Sequence, residues 1–203
     1  PLVVTEVSTI TLLDGKEYKK WTFDNGMQYV EGIGSFGTCY AHNDFYQLIA
    51  NAPLSSDVYS QSLVCASRNG QLLYQMDDTE MERLGTECLC EIEPKWSETW
   101  CNQWNILSHG YQGPQDPLAA ARTSIFWLSN NTVNRDGLEY IPLMCSSSKP
   151  DVESTNLIGE LRFTEDKQVY FYYAFDETEY LLYDFGAELG DTLELFAGLE
   201  FYN

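Results

Sequence analysis

The sequence predicts an all-β fold in which antiparallel hairpins form a barrel or a two-sheet sandwich, with at most one or two short helices. Runs rich in β-branched and aromatic residues recur along the chain, and turn signals separate them at spacings of roughly eight to twelve residues. Several of those signals are Asx-Gly pairs, which favour tight hairpins. A chain of 203 residues, 44% of them hydrophobic, can bury a substantial core.

We expect a single all-β domain over residues 1–203. Two half-units, residues 1–85 and 104–203, carry the strand signals. Residues 86–103 join the half-units and are rich in cysteine and tryptophan but poor in strand patterns, so we expect them to be irregular.

The predicted strands follow one another from the N-terminus, with short connections up to residue 31 and longer loops at residues 43–62 and 146–156. Alternation in residues 169–175 makes both faces of that strand apolar or aromatic, so it needs cover on both sides. Pro142 lacks an amide hydrogen, which predicts an edge position for its strand. The expected strands are residues 2–7, 10–13, 17–23, 27–31, 62–66, 71–75, 123–128, 132–133, 138–144, 157–164, 169–175, 180–185 and 192–196.

Turns and short helices account for much of the remaining chain. Asp14-Gly15 suits a type I′ hairpin turn, and further Asx-Gly pairs occur at residues 25–26, 69–70 and 136–137. Residues 77–84 predict a short helix with an acidic first turn and Gly85 at its end. Residues 117–122 predict one helical turn. Residues 12–18 and 162–170 share a weak pattern of hydrophobic, acidic, turn, lysine and tyrosine residues.

Residues 32–37 form a literal G-x-G-x-x-G pattern. A dinucleotide site needs a helix that opens at the third glycine, so that its first amides meet a pyrophosphate. The residues that follow have no helical period. The glycines instead predict a bulge or a close approach of the backbone where the sheet bends.

The charge balance restricts the classes of partner. The chain has 31 acidic residues against 11 lysines and arginines, a net charge of −20. This disfavours nucleic acid and anionic membrane surfaces. It agrees with high solubility, a calcium site or a cationic partner. No apolar run is long enough to span a membrane, and no signal peptide is recognisable. Because the sequence begins at Pro1 directly before an expected strand, we expect a processed or trimmed chain.

Six cysteines in an acidic, loop-rich chain indicate disulfides and an oxidising compartment, so we expect a secreted or cell-surface protein. Their spacing selects no pairing. A zinc site from Cys88, Cys90, Cys101 and His109 lacks the paired spacing of structural zinc sites. The cysteines are Cys39, Cys65, Cys88, Cys90, Cys101 and Cys145.

Two motifs lie far apart in the chain: Glu31-Gly32-Ile33-Gly34-Ser35, and Leu181-Leu182-Tyr183-Asp184-Phe185 with Gly190-Asp191-Thr192. In these two motifs the chain resembles a β module of unknown function from secreted and cell-surface proteins of Bacteroidetes. That module is often found ahead of a type IX secretion C-terminal sorting domain. The order of the motifs is reversed, which predicts a permuted chain, a slice of a tandem array or a reordered numbering. Further matching residues are 13–16, 63–65, 69–74, 104–105, 127–133, 136–140, 158–162 and 167–170.

The resemblance implies an exported, mainly antiparallel β module and brings no catalytic residues. It also implies a disulfide between Cys65 and either Cys88 or Cys90. If one unit is completed within this chain, its two ends lie close together. Two halves taken from an array would pack poorly on each other.

Candidate binding residues come from aromatic and acidic side chains. Trp96, Trp100 and Trp104 recur every four residues and could form a stacking platform for a sugar or a peptide. Asp184 and Asp191 could hold calcium through their oxygens. The alternative is that Asp184 accepts from backbone amides and that Asp191 serves the turn before Thr192.

We expect a non-catalytic extracellular β module that is structural or binds protein or glycan at the cell surface. One alternative is a secreted hydrolase with an acidic site for carbohydrate. A cleft lined by aromatics, with carboxylates about 5 to 10 Å apart, favours the hydrolase. A filled interior with a flat aromatic strip favours the binding module. A protease inhibitor, with residues 43–62 as its protruding loop, is a further alternative.

Overall fold

The computed structural model describes residues 1–36, 38–41, 59–88, 101–110, 122–146, 156–174 and 176–196. Within these ranges the chain forms fifteen strands and one helix, which confirms the all-β prediction. No described helix has the length and apolar character needed to cross a membrane. The elements are β1 (Leu2–Thr11), β2 (Glu17–Phe23), β3 (Gln28–Val30), β4 (Gly34–Phe36), β5 (Thr38–Ala41), β6 (Tyr59–Arg68), β7 (Gln71–Gln75), α1 (Asp78–Leu84), β8 (Gln103–Gly110), β9 (Arg122–Leu128), β10 (Val133–Arg135), β11 (Leu138–Ser146), β12 (Asn156–Phe163), β13 (Gln168–Tyr173), β14 (Thr178–Asp184) and β15 (Thr192–Leu193).

The strands form two antiparallel sheets. The first has five strands in the order β15-β1-β2-β3-β4. The second has ten: β14-β13-β12-β11-β9-β8-β6-β5 in order, with β10 beside β11 and β7 beside β6. Leu2 in β1 lies opposite Leu193 in β15. Just beyond, the Phe196 amide donates to the Leu181 carbonyl in β14 at 2.8 Å. This C-terminal segment therefore bonds to both sheets.

One hydrophobic core contains residues of both sheets. Trp21 and Tyr29 enter it from the first sheet, and Phe126 and Phe171 enter it from the second. Alternation along β13 places Phe171 in the core and leaves Tyr170 and Tyr172 on the opposite face. A void of about 20 Å³ beside Trp104 offers room for about one water molecule, so the packing around it is nearly complete.

The large sheet continues across the segment at 86–103. β6 precedes that segment in the chain, β8 begins at its last residue, and the two strands pair with each other from Tyr59 opposite Gly110 to Ser67 opposite Gln103. Residues before and after the segment therefore share backbone hydrogen bonds within one sheet, besides sharing the core.

The Asx-Gly turns are of two kinds. In Asn69-Gly70 both residues have positive φ, 51° and 75°, as a type I′ turn requires. In Asp14-Gly15 only the glycine has positive φ, 78°. The Lys16 amide donates to Oδ1 of Asp14 at 3.1 Å, and this side-chain bond holds a longer loop. The expected type I′ turn at Asp14-Gly15 is therefore wrong.

Pro142 does not lie in an edge strand, contrary to the expectation. Its strand, β11, pairs with β12 on one side and with β9 and then β10 on the other. The break between β9 and β10, residues 129–132, faces the proline, and the Ser129 amide donates to its carbonyl at 2.8 Å. The ladder is interrupted where Pro142 has no hydrogen to donate, so an interior strand accommodates it.

Helix α1 forms where it was predicted. Oδ1 of Asp77 accepts from the amides of Thr79 and Glu80 at 3.0 and 3.3 Å, which caps the first turn. Gly85 ends the helix with a φ of 65°. Met81 and Leu84 pack against residues of β6 and β8 in a small second cluster. The helical turn expected at 117–122 lies almost wholly outside the described residues, apart from Arg122, which begins β9.

The glycine-rich stretch forms strand rather than a phosphate loop. β4 lies within it and β5 follows it, so no helix opens after the glycines and the dinucleotide site is excluded. Gly34 has a φ of 95°, and a Cβ added there would lie 2.7 Å from Cζ of Tyr183. The predicted close backbone approach is thus confirmed at Gly34.

Candidate functional site

The tryptophan platform does not include Trp104. That side chain is 5% exposed, lies in the core, and donates its Nε1 hydrogen to the Ile33 carbonyl at 2.9 Å. A ring packed between two sheets has no face left for a ligand. Trp96 and Trp100 lie outside the described residues, and a binding role for them stays a prediction.

Asp184 and Asp191 both bond to backbone amides. Oδ1 of Asp184 accepts from the Gly186 amide at 2.9 Å, and its Oδ2 accepts from Gln168 at 2.8 Å. Oδ2 of Asp191 accepts from the Glu188 amide at 2.8 Å. These are the contacts of the turn-stabilising alternative. No group of three or more His, Cys, Asp or Glu side chains able to hold a metal occurs among the described residues.

A disulfide joins Cys65 to Cys88, one of the two pairings that the resemblance implies. It ties β6 to the chain that follows α1. Cys88 is therefore not a thiolate, so the zinc set that included it is excluded. Cys101 is buried and Cys145 half-buried. The side chains of Cys39 and Cys90 lie outside the described part of the chain, and their pairing stays a prediction.

A layer of tyrosine, arginine and glutamate side chains covers the outer face of β10 to β14. We call it the Tyr–Arg face. It arises because strand alternation sends every second side chain away from the core. On β12, for example, Leu161 points into the core, while Glu160 and Arg162 point outward. The face consists of Arg135, Tyr140, Glu160, Arg162, Tyr170, Tyr172 and Glu179.

Arg135 and Glu160 form one half of the face. Nε and Nη2 of Arg135 donate to the two carboxylate oxygens of Glu160 at 2.6 and 2.8 Å. The Glu160 side chain is only 4% exposed. The guanidinium also lies 4.3 Å from the ring centroid of Tyr172. The hydrogen bonds with Glu160 raise the pKa of Arg135 above its ordinary value.

Arg162 and Glu179 form the other half. Arg162 donates twice to Glu179, at 2.7 Å each, and the Tyr140 hydroxyl donates to Glu179 at 2.6 Å. The guanidinium lies 4.4 Å from the ring centroid of Tyr170. Burial raises the pKa of Glu179, but the hydrogen bonds from Arg162 and Tyr140 outweigh it, so the pKa lies below the usual value. The hydrogen bonds with Glu179 in turn raise the pKa of Arg162.

The geometry of this face suits recognition better than catalysis. Both carboxylates are held in two-pronged bonds to arginine, and Glu179 stays ionised, so it cannot act as a general acid. The side chains are fixed before any partner arrives, which lowers the entropic cost of binding. Tyrosine and arginine are also the residues that most often dominate binding energy at protein interfaces.

A concave feature lies between the β1–β2 turn, the end of β6 and the β12–β13 turn. We call it the hairpin cleft. Its volume is about 530 Å³, and its lining includes Lys16, Tyr18, Arg68, Lys167 and Phe185. Sequence reasoning missed both features. Alternating Tyr170 and Tyr172 signalled the first, but its ion pairs join different strands, and the cleft brings together turns about 150 residues apart.

Comparisons of the chain with protein-family models, with curated proteins and with solved structures found no match.

Proposed function

We propose that the protein is a non-catalytic extracytoplasmic β module, secreted or at the cell surface, that binds a partner protein through the Tyr–Arg face. The observation that carries this proposal is the fixed layer of tyrosine rings and arginine groups on the outer face of the large sheet, where Tyr170 and Tyr172 are half-buried and the Arg135 side chain is 36% exposed. The nearly filled interior is the other feature expected of a binding module.

Charge points to the kind of partner. The two arginines and two glutamates of the face cancel, so its centre is formally neutral. The adjoining β10–β11 and β13–β14 turns carry exposed acids at Asp136, Asp176 and Glu177. With a net charge of −20, two copies of the chain repel each other. A neutral aromatic centre with an acidic rim fits a protein that has basic residues around an apolar patch.

Two observations support an extracytoplasmic location. The Cys65–Cys88 disulfide persists most readily in an oxidising compartment. The resemblance to an exported Bacteroidetes module points the same way. The two motifs that carry this resemblance touch, since the Ser35 amide donates to the Tyr183 hydroxyl at 3.3 Å.

Photo-crosslinking from the edge of the face tests the proposal. A photoreactive residue at Asp136, beside the face, should capture a basic protein in the native host, and one at Thr9 in β1 should not. Binding of the purified partner is then measured by calorimetry. Tyr170→Ala should weaken it about tenfold or more, as expected for an interface hot spot, and Thr9→Ala should leave it unchanged. Equal binding by both variants would contradict the proposal.

The secreted hydrolase remains a second candidate because three glutamates, Glu17, Glu31 and Glu165, line the hairpin cleft together with Tyr18 and Phe185. Assays for new reducing ends on neutral and acidic polysaccharides distinguish it from the binding module. We expect no release. Turnover that Glu165→Gln abolishes would establish the hydrolase. The protease-inhibitor alternative rests on residues 43–62, most of which lie outside the described chain, and inhibition assays test it directly.

A further inference from the structure

The hairpin cleft shares no lining residue with the Tyr–Arg face and is lined by five separate stretches of the chain. The β1–β2 turn and the β12–β13 turn contribute most of the lining, and Glu31, Arg68 and Phe185 lie in the other three stretches. Its volume of about 530 Å³ lies within the range of small-molecule binding sites.

The inner wall is a preorganised polar group. The Tyr18 hydroxyl donates to Oδ2 of Asp14 at 2.7 Å and accepts from Nη2 of Arg68 at 2.9 Å. The Arg68 and Asp14 side chains are 12% and 3% exposed. Burial raises the pKa of Asp14. Hydrogen bonds from Tyr18 and from the Lys16 amide outweigh that effect, together with the nearby charges of Lys16 and Arg68, so the pKa lies below its ordinary value. The wall is therefore rigid and charged.

The rim carries both donors and acceptors. Three cationic side chains and three carboxylates line the cleft, and with Asp14, which pairs with Arg68 in the inner wall, the formal charge is −1. Nζ of Lys167 bonds to Oε1 of Glu31 at 2.8 Å across the two sheets. A ligand with a net charge gains little from such a lining. The six charged residues are Lys16, Glu17, Glu31, Arg68, Glu165 and Lys167.

We propose that the hairpin cleft binds a neutral oligosaccharide. Each sugar hydroxyl both donates and accepts, which matches ammonium groups and carboxylates placed side by side. The half-buried Tyr18 ring lines the cleft and supplies aromatic surface for the apolar face of a sugar ring. This site is independent of the protein partner at the Tyr–Arg face, so either assignment stands without the other.

NMR titration of the intact chain tests the site. The probes are soluble neutral oligosaccharides of glucose, mannose, galactose and xylose, with an oligogalacturonate and an arginine-rich peptide as charged comparators. We expect a neutral probe to shift the amide signals of Gly32, Thr164 and Lys167. The proposal would be overturned if only a charged probe shifted these signals, or if none of the probes shifted them.

Matched variants separate the cleft from the rest of the surface. Lys16→Ala with Glu165→Ala removes one donor and one acceptor from the rim and should weaken binding roughly tenfold. Lys19→Ala with Glu139→Ala makes the same charge change at exposed positions outside the cleft and should leave the affinity unchanged. Equal weakening by both pairs, or shortening of the probe by the wild-type chain, would overturn the proposal of a non-catalytic site.

Discussion

At the scale of single residues, the contact between Gly34 and Tyr183 explains why two distant motifs belong together. Gly34 has a φ of 95°, where a side chain is strained, and the Tyr183 ring occupies the space that its Cβ would need. Tyr183 also packs edge-on against Tyr29 at 4.9 Å. The ring therefore cannot retreat without disturbing the core.

Gly34→Ala should destabilise the protein by about 2–4 kcal/mol, because steric overlap in a packed core adds to the strain of a positive φ. Urea unfolding measures the change. The control is Gly26→Ala, which has a φ of 82° but nothing within 4 Å of the added Cβ, and which should cost only about 1 kcal/mol. Equal losses at the two positions would show that the ring contact is unimportant.

Another single-residue feature concerns the turns at residues 12–16 and 164–168, which are related in structure but in a different register from the weak sequence pattern. The Gly15 amide donates to the Leu12 carbonyl at 2.9 Å, and the Lys167 amide donates to the Thr164 carbonyl at 3.2 Å. The two turns thus have the same hydrogen bond. Lys167 takes a φ of 63° where its counterpart is glycine, a strain of about 1 kcal/mol. Its ion pair with Glu31 at the cleft is a reason for lysine at this position.

At the scale of elements, β12, β13 and β14 each have an apolar face and an outer face of tyrosine and paired charged side chains. One face is apolar and packs in the core, and the other carries the Tyr–Arg face. Arg162 and Glu179 lie on β12 and β14, with Tyr170 of β13 between them. Their ion pair therefore spans three strands. It links β12 to β14 through side chains, in addition to the backbone hydrogen bonds between neighbouring strands.

The ion pair between Arg162 and Glu179 predicts a dependence of stability on pH. The pKa of Glu179 is lowered in the folded state, so its contribution is fully present above the unfolded pKa of about 4.3 and is lost as the pH falls through the folded value. Urea unfolding at neutral and acid pH should show Glu179→Gln losing more stability at neutral pH than at acid pH. The exposed Glu139→Gln should show little loss at either, and a constant loss for Glu179→Gln would contradict the assignment.

At the scale of the whole molecule, the chain closes on itself. The first strand pairs with β15, and the residues after β15 reach β14, so one C-terminal segment joins the two sheets. Phe196 is the anchor of this closure. Its ring is 7% exposed and lies 4.4 Å from that of Tyr180 and 5.6 Å from that of Phe171.

Phe196→Ala should cost about 3–5 kcal/mol, because it opens a cavity where the two sheets meet. Denaturant unfolding measures that loss, and hydrogen exchange should show weaker protection in both β1 and β14. The control is Leu189→Ala, whose side chain is 68% exposed and should change stability by less than about 0.5 kcal/mol. Loss of protection in β14 alone would show that the segment does not couple the sheets.

The sequence by itself determined the local structure. Alternation identified most strands, Asx-Gly pairs marked the hairpins, and Asp77 with Gly85 bounded α1, because each of these signals acts over a few residues. Alternation also showed that residues 169–175 need cover on both faces. It could not show that arginines on other strands supply that cover.

Only the tertiary structure decided which strands pair and which side chains meet. Pro142 lies in an interior strand because the neighbouring strands β9 and β10 are interrupted opposite it. Trp104 lies in the core because β8 is an interior strand of the large sheet. The Tyr–Arg face and the hairpin cleft depend on register between strands far apart in sequence. Such contacts depend on long-range packing, which no local pattern encodes.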